Sequence, residues 1–520
     1  MHNEIYLDGN ATSPVLPAAV TAAVHAMRDC YGNPSSTHSS GLRARALLDG
    51  ARRRAVRLLG VGEGRLMFNS GATEGIQTSV LSALCALRER RDAGEAIGSL
   101  LVYGATEHKA VPESLAHWNR LLGLNLELSA LPVDGDGRHD LAGLAALLPR
   151  TAMLCTMAAN NETGVLSDIA GIEQVLNASG SRAYWLVDCV QALGKFQLNL
   201  ARSRIDYAPF SGHKLYAPKG IGMLYVRAGA PFTPLIVGGG QEGALRSGTE
   251  NMAGVAALDA VLAALERGGV FHAHEELCGF RDRLAASLRQ AWPGVVFNAP
   301  FEHALPTTLN FSVPGLSSRE LMDVLDAAGV RVSSGSACSS AKAAPSYVLQ
   351  AMGVPLWRSA SAIRMSFGPL VAEADIAAAC ERIARCGEAL RASERPPAPP
   401  EDVLHADNGD ETGEAPADMH LSHAALQEML RDHPDAVLVD VRESHEHMAG
   451  AGAGPAGRAM LNVPLGRLDE HIPGWLGGDG APLVFLCRSG ARSGKAAARL
   501  RRLGYAQAYD LAGGMALQAN

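Results

Sequence analysis

The 520-residue sequence has no excess of basic charge: 46 Lys and Arg stand against 53 Asp and Glu, a formal net charge of −7. Binding to nucleic acid needs a basic footprint, so no direct nucleic-acid partner is expected. The nine cysteines are scattered and none falls in a Cys-x-x-Cys pair. That excludes the usual zinc spacing, and no metal site is expected. Their odd number, in a chain too long to need a disulfide scaffold, reads as free thiols of a cytoplasmic protein. The opening Met1-His2-Asn3-Glu4-Ile5 lacks a basic region followed by an apolar core, so no signal peptide is expected. No stretch is apolar enough for a membrane span. What is present is an apolar fraction of 47%, enough for large cores, and a length that suggests about three domains.

Taken in order, Ile5 to Thr12 is a short extended segment ending in a polar turn, and Pro14 and Pro17 frame a helix start. Gly41 to Leu59 alternates Arg with Ala and Leu at helical spacing, a solvated basic face. Leu66 to Gly75 reads as strand, glycine turn and helix start. Ala72 and Thr73 there form either an anion cradle at the helix N-terminus or a simple cap. Leu100 to Tyr103 is a buried-strand pattern leading to His108. Thr151 to Met157 runs into Asn160-Asn161-Glu162-Thr163-Gly164. Trp185 to Val187 ends at Asp188, with Gln191 three residues on. A carboxylate just past an apolar strand needs a partner if buried, for which a protonated ring nitrogen would serve; capping the next helix is the alternative.

The stretch Ser211-Gly212-His213-Lys214 precedes a Pro-Lys-Gly turn and an apolar run, Ile221 to Val226. Lys214 on a short turn can form a Schiff base with an aldehyde cofactor. Ser211 and His213 can hydrogen-bond that cofactor's phosphate. In isolation such a lysine is an ordinary surface residue. Here, however, strand ends alternate with helical segments, the pattern of a doubly wound, mostly parallel sheet. Ligands in such a sheet sit at the carboxyl ends of the strands, where Ala72, Thr73, His108, Asn161, Asp188, Gln191, Ser211, His213 and Lys214 all fall.

Those motifs, Ser70-Gly71-Ala72-Thr73-Glu74, Thr106-Glu107-His108-Lys109, Asn160-Asn161-Glu162, Asp188 with Gln191, and Ser211-Gly212-His213-Lys214, resemble the cysteine desulfurases. These are pyridoxal-phosphate (PLP) enzymes of the aspartate-aminotransferase fold type, and the resemblance runs from Tyr6 to about Arg391. It implies an α/β fold of PLP fold type I: a large doubly wound domain over about 15–264, and a small α/β domain over about 265–392 that includes the N-terminal segment. It implies that Lys214 carries the cofactor and that His108 stacks on the ring and shuttles protons. Asp188 would pair with the pyridinium nitrogen, and Asn161 and Gln191 would touch the ring side. Ala72, Thr73, Ser211 and His213 would hold the phosphate. Gly238 to Asn251 matches the family's dimer-crossing loop, so a homodimer is expected in which Thr249 reaches the neighbouring phosphate. Gln241 replaces the family's usual histidine.

Ser333 to Lys342 is small, polar and Gly-containing, a loop with nothing apolar enough to bury Cys338. In the family this motif carries the cysteine that takes sulfur from the substrate, in the long-loop form of the iron–sulfur-cluster branch. Ala362-Ile363-Arg364-Met365-Ser366 matches the segment whose arginine grips the substrate carboxylate, a bidentate task that suits guanidinium; Asn161 would share it.

From 393 to 418 a Pro-rich, acidic linker without hydrophobic periodicity is expected to be extended. About 25 residues reach at most roughly 80 Å, and as a coil the ends would sit about 25–30 Å apart.

The remaining 419–520 read as a small α/β unit. Ala436 to Glu443, Leu461 to Leu465 and Pro482 to Leu486 are strands, and Ala496 to Leu503 a helix. Cys487-Arg488-Ser489-Gly490-Ala491-Arg492-Ser493 places a cysteine at a strand end, inside a loop at a helix N-terminus, which favours a thiolate or persulfide anion. This resembles a single-domain rhodanese, with Cys487 as sulfur carrier and Arg492 bracing the loop. A cysteine phosphatase is the rival, but its loop has five residues between Cys and Arg against four here. A binding module without activity is a second rival. The family's Gly-His-Ile segment is replaced by Gly452 to Arg458, and the sequence ends soon after Met515.

The expectation is a homodimeric desulfurase fused to a rhodanese. It would convert L-cysteine to L-alanine, leave a persulfide on Cys338, relay it to Cys487, and deliver it to sulfur-acceptor proteins in iron–sulfur-cluster assembly or thiolation. Selenocysteine lyase and aminotransferase are the alternatives; the second needs no thiol.

Overall fold

The computed structural model describes residues 4–335, 345–393, 419–450, 454–478 and 480–517. Cys338 and its neighbours, and nearly all of the expected linker, lie outside the described residues. The elements in chain order are β1 (Ile5–Tyr6), α1 (Pro17–Asp29), α2 (Ser39–Leu59), β2 (Arg65–Asn69), α3 (Ala72–Asp92), β3 (Leu100–Gly104), α4 (Ala110–Leu121), β4 (Glu127–Leu131), α5 (Leu141–Leu147), β5 (Thr151–Met157), α6 (Ile169–Ala178), β6 (Tyr184–Asp188), β7 (Tyr207–Ser211), β8 (Gly222–Val226) and α7 (Met252–Arg267). There follow α8 (His274–Ala291), β9 (Val296–Phe297), β10 (Thr308–Ser312), α9 (Ser318–Ala327), β11 (Val330–Arg331), α10 (Tyr347–Ala351), α11 (Leu356–Ser361), β12 (Ile363–Ser366) and α12 (Glu373–Ala392). The last group is β13 (His420–Leu421), α13 (His423–Asp432), β14 (Val437–Asp440), α14 (Ser444–Ala449), β15 (Leu461–Asn462), α15 (Leu468–Leu476), β16 (Leu483–Leu486), α16 (Ala491–Arg502) and β17 (Ala508–Leu511). Among the described residues no helix is long and apolar enough to cross a membrane.

The first group builds a seven-stranded sheet in the order β2-β8-β7-β6-β5-β3-β4. Only β8 runs against its neighbours; every other pairing in the sheet is parallel. Helices cover both faces, as the near-continuous apolar runs of β3, β5 and β6 require. One core packs Leu48, Leu59, Phe68, Trp185 and Phe210 with the α7 residues Val255, Leu258 and Leu262. The other packs Ile76, Leu84 and Leu115 against Met67, Met153 and Leu186. Trp185 is fully buried and its Nε1 donates to Thr156 Oγ1 at 2.9 Å, so burial leaves no orphan donor. Helix starts are fixed locally: Asp140, Asp168 and Asn251 each accept a backbone N–H three residues on.

The second group forms a three-stranded antiparallel sheet, β12-β10-β9, flanked by α8, α9 and α12. β1 pairs in parallel with β11 of this group, so the chain's first residues cross to it before the large sheet begins. The third group is a five-stranded parallel sheet, β13-β17-β16-β14-β15, with cores on both faces.

Close backbone approach puts Gly222 where β8 meets the β2–α3 turn. A Cβ there would stand 2.5 Å from the Phe210 carbonyl oxygen and 2.6 Å from Gly71 Cα. Gly222→Ala is expected to destabilise the fold by about 1–3 kcal/mol. A denaturant unfolding midpoint equal to that of the native chain would show that these strands can part without cost.

Candidate active site

The carboxyl ends of the parallel strands converge on one pocket. β7 ends at Ser211, and the single 3₁₀ turn Gly212–Lys214 that follows turns the Lys214 side chain inward. Lys214 Nζ donates to the carbonyls of Asn10 at 2.7 Å and Ala11 at 2.8 Å. Asp188, the last residue of β6, is buried and accepts the Val190 N–H at 3.0 Å. Burial pushes its carboxyl up, against the pull of Val190, His108 and Lys214. His108 lies between β3 and α4, and its Nδ1 accepts the Ala110 N–H at 3.2 Å. Burial pushes its imidazole down, while Asp188 pulls it up.

Gly71 caps α3 with φ 151°, a backbone that side chains avoid, and its N–H is held by Asn69 Oδ1 at 3.1 Å. A Cβ on Gly71 would face Ser211 Oγ at 3.7 Å, so the first turn of α3, with buried Ala72 and exposed Thr73, opens toward β7. His213 Nδ1 lies 3.2 Å from Thr12 Oγ1, and burial, with Lys214 and Lys219, lowers its imidazole to about 4. It is neutral at physiological pH.

From the other side, Arg364 of β12 is almost fully buried. It donates to Asp8 Oδ1 at 2.7 Å and to the Asn161 carbonyl at 3.2 Å, while its Nε has no hydrogen-bond partner among the described residues. Asn161 Oδ1 is likewise buried and unpartnered among them. A fully apolar pocket would not strand such atoms, since each costs about 1–3 kcal/mol unpaired. These atoms, the buried Asp188 and the open helix N-terminus fit a polar aromatic cofactor carrying a phosphate.

Residues that sequence reading passed over complete the pocket. Asn10, taken above only as part of a polar turn, gives its carbonyl to Lys214 and, at 3.3 Å, to Gln191 Nε2. Its side-chain amide donates to the Asn161 carbonyl at 3.2 Å and to Thr308 Oγ1 at 2.9 Å. Lys195, four residues after Gln191, donates to Asn10 Oδ1 at 3.1 Å and to Gln191 Oε1. The spacing Gln-x-x-x-Lys was the available signal. Glu162 accepts from Ser346 Oγ at 2.6 Å, tying the start of α10 to the 160–164 turn. Gln241 has a structural part: its Oε1 accepts the Gly248 N–H at 2.9 Å and closes the 238–251 segment, in which Thr249 is exposed. Buried Glu242 anchors that segment through both nitrogens of Arg52, at 2.6 and 2.7 Å, and the Phe68 N–H.

A second site lies in the five-stranded unit. Cys487, 1% exposed at the end of β16, has its Sγ 3.2 Å from the Gly490 N and 3.3 Å from the Ser493 N. Ser493 Oγ is also 3.3 Å away. Gly490, at φ 92°, turns the loop so that these N–H groups point inward as α16 begins. Arg492 grips the buried Glu446 through both terminal nitrogens, at 2.7 and 2.8 Å. Exposed Ser489 forms the loop's rim, and Arg488 points outward to Asp323 and Asp326 of α9. Gly514 closes the loop from behind: a Cβ there would meet the Arg488 carbonyl oxygen at 2.5 Å. Where the substituted segment re-emerges, Arg458 Nη2 donates to the carbonyls of Pro434 and Ala436 at 2.7 and 2.9 Å.

Lys195 sets a pH signature. Burial, then the charges of Lys214 and Arg364, lowers its ammonium from 10.5 to about 7. The unfolded chain therefore holds this proton across a window in which the folded chain has lost it. Below that window the buried charge costs stability in full, and the cost fades as pH rises. The native chain should gain about 2 kcal/mol relative to Lys195→Met between about pH 7 and about pH 9. Parallel denaturant titrations of the two cofactor-free chains at both pH values check this; a pH-independent difference contradicts it.

Comparison with known proteins agrees with this geometry. The family model described as Aminotransferase class-V matches residues 5–378, and that of the Rhodanese-like domain matches residues 422–517. A cysteine desulfurase of Gluconacetobacter diazotrophicus is 38% identical over 376 residues, 72% of this chain and 91% of its own. Among solved structures, a NifS-like protein superposes with a TM-score of 0.66 at 30% identity, over 75% of this chain and 99% of its own. SspA in complex with cysteine superposes with a TM-score of 0.60 at 25% identity, over 71% and 99%. The pocket fits the cofactor of that family, and the matches span both sheets that enclose it. The chain thus belongs to the class-V aminotransferase family, as a PLP-dependent cysteine desulfurase of fold type I that also carries a rhodanese-like domain.

Proposed function

We propose that this enzyme releases L-alanine from L-cysteine, collects the sulfur on Cys338, and passes it through Cys487 to sulfur-acceptor proteins. The carrying observation is the convergence of Lys214, His108, Asp188, Asn161 and Arg364 in one pocket, in a chain with a second cysteine ringed by backbone N–H groups. Bound PLP supplies an electron sink that makes the substrate Cα–H acidic and its sulfur open to attack. Lys214 holds the cofactor and then moves the proton released at Cα. Asp188 matches a protonated ring nitrogen, which offsets the cost of burying its charge. Ser211, His213 and Thr73, with the backbone N–H groups at Ala72 and the start of α3, would bind the phosphate at a helix N-terminus. Arg364, with Asn161, takes the substrate carboxylate.

The Cys338 thiolate attacks the substrate sulfur. The sulfur–carbon bond breaks, a sulfur–sulfur bond forms on Cys338, and the electron pair left on Cβ takes up a proton to give alanine. In the relay, the Cys487 thiolate attacks the outer sulfur of that persulfide. One sulfur–sulfur bond replaces another, Cys338 leaves as thiolate, and no external oxidant or reductant is needed. The loop N–H groups around Cys487 Sγ would stabilise the product persulfide as its anion.

Several features support the remaining parts of this reading. Val20, Val24 and Met27 on α1, Tyr31 just after it and Leu42 on α2 are exposed large apolar residues, and Val237 stands out just before the 238–251 segment. Such a patch fits a homodimer in which that segment, with Thr249, reaches the partner's phosphate. The division at about 264, 392 and 418 fits the grouping of strands into the seven-stranded sheet, the three-stranded sheet with the β1–β11 pair, and the five-stranded sheet.

Cys338→Ser should still bind PLP and cysteine but release alanine at least about 10²-fold more slowly, because binding uses Arg364 and the ring whereas sulfur transfer needs the thiolate. Single-turnover alanine assays with spectral titration of cysteine binding check both halves. Alanine release at the native rate would place the nucleophile elsewhere. Persulfide mapping by mass spectrometry after cysteine feeding tests the relay: Cys487 is loaded in the native chain and unloaded in Cys338→Ser. Equal loading of Cys487 in the two refutes it.

A further inference from the structure

The rhodanese-like unit is seated on the three-stranded unit of the same chain. α14 packs on α9 and α12, and Ala449 is fully buried within the core that includes Leu321, Val324 and Leu325. Gly450 follows so closely that a Cβ there would stand 3.2 Å from the Ala327 carbonyl oxygen. Beside this contact, Arg488 donates from Nη1 to Asp323 Oδ1 at 2.9 Å and from Nε to Asp326 Oδ2 at 2.8 Å. Asp326 Oδ1 also accepts from Arg331 Nη1 at 2.6 Å. One helix end therefore holds both the residue that follows Cys487 and the strand β11, whose Arg331 lies seven residues before Cys338 in sequence. Arg488 is a member of the sulfur loop, yet its guanidinium is committed to two carboxylates of the other unit. The charges alternate across the seam: Asp323 and Asp326, Arg488 and Arg492, then Glu446.

We infer that Asp323 and Asp326 are a docking anchor for the chain's own rhodanese-like unit, and that this docked pose makes Cys487 the acceptor for the Cys338 of the same chain. The second half rests on the relay proposed above. Linker length alone allows a unit to visit either subunit of a dimer at a tethered concentration in the millimolar range. At such concentrations even a weak contact is populated, and two charge-assisted bonds added to a buried apolar patch decide which face is used. Arg488 is 41% exposed in its side chain, so the anchor is screened by salt.

Hydrogen–deuterium exchange of the full-length PLP-loaded enzyme tests the anchor without reference to sulfur. Asp323→Asn/Asp326→Asn should speed exchange in both α9 and α14 by about fivefold to tenfold, and added salt should do the same to the native chain. Asp323→Asn alone leaves the Asp326–Arg331 bond in place and should give part of the effect. Unchanged exchange in both variants overturns the anchor. Same-chain transfer is read from mixed dimers in which one subunit carries Cys338→Ser and the other Cys487→Ser. With cysteine as sulfur source, the intact Cys487 of such dimers should load at least about tenfold more slowly than in the native dimer. Loading at the native rate overturns same-chain transfer while leaving the relay standing. Absence of Cys487 persulfide in the native dimer itself overturns both the relay and same-chain transfer, and the exchange result still decides the anchor.

Discussion

The site depends on the burial of Asn10. This side chain lies at the seam between the seven-stranded and three-stranded sheets, and it is almost completely removed from solvent. Its carbonyl takes Lys214 and Gln191, its Oδ1 takes Lys195, and its Nδ2 reaches Asn161 and Thr308. Five residues from both sides of the seam thus share one amide group and one peptide carbonyl. A buried amide is costly unless satisfied, and here satisfaction requires both sheets to be in place. The N-terminal segment can present Asn10 only because β1 pairs with β11 and Asp8 is held by Arg364 and by Ser333. The fold closes around this bond set, and Lys214 is aimed by it.

The same seam concentrates positive charge. Burial, then the charges of Lys214 and Arg364, holds the Lys195 ammonium at about 7. Asp188, Glu107 and Glu162 are buried nearby, and desolvation raises each of their carboxyls. A dry pocket carrying cations and half-suppressed carboxylates is electrostatically strained on its own. A ligand with an anionic phosphate, an anionic phenolic oxygen and a cationic ring nitrogen would relieve each part. That pattern of charge, rather than pocket shape, is what suits this site to PLP.

The sequence exposed the chemistry at strand ends more readily than the connections that aim it. The placement of Lys214, Asp188 and His108 was legible because each follows an apolar run toward a parallel strand's carboxyl end, where ligands gather in such sheets. Asn10 and Lys195 were not, because their roles come from contacts across about 150 to 300 residues of chain or from a helical step inside a loop. The short strands β4, β9, β13 and β17 were missed for another reason. β4, β9 and β13 are edge strands, and β4 is half exposed, so a period-two pattern has too few residues to register. Docking of the rhodanese-like unit was also hidden: a polar linker reads as free reach, while the contact of α14 with α9 and α12 uses small residues, Ala449 and Gly450, that carry no sequence signal.

The departures from the rhodanese pattern leave the sulfur cradle intact for a physical reason. The groups facing Cys487 Sγ include the backbone N–H groups of Gly490 and Ser493, placed by the left-handed turn at Gly490 and the start of α16. Their aim depends on β16, on the Arg492–Glu446 pair, and on the closing turn at Gly513 and Gly514, where Met515 N donates to the Cys487 carbonyl at 2.9 Å. Arg458, in the substituted segment, instead ties down the entry to β14 from Pro434 and Ala436, on the far side of the strand from the Asp440–Arg442–His447 cluster that follows it. A change there leaves in place the donors that face Cys487 Sγ.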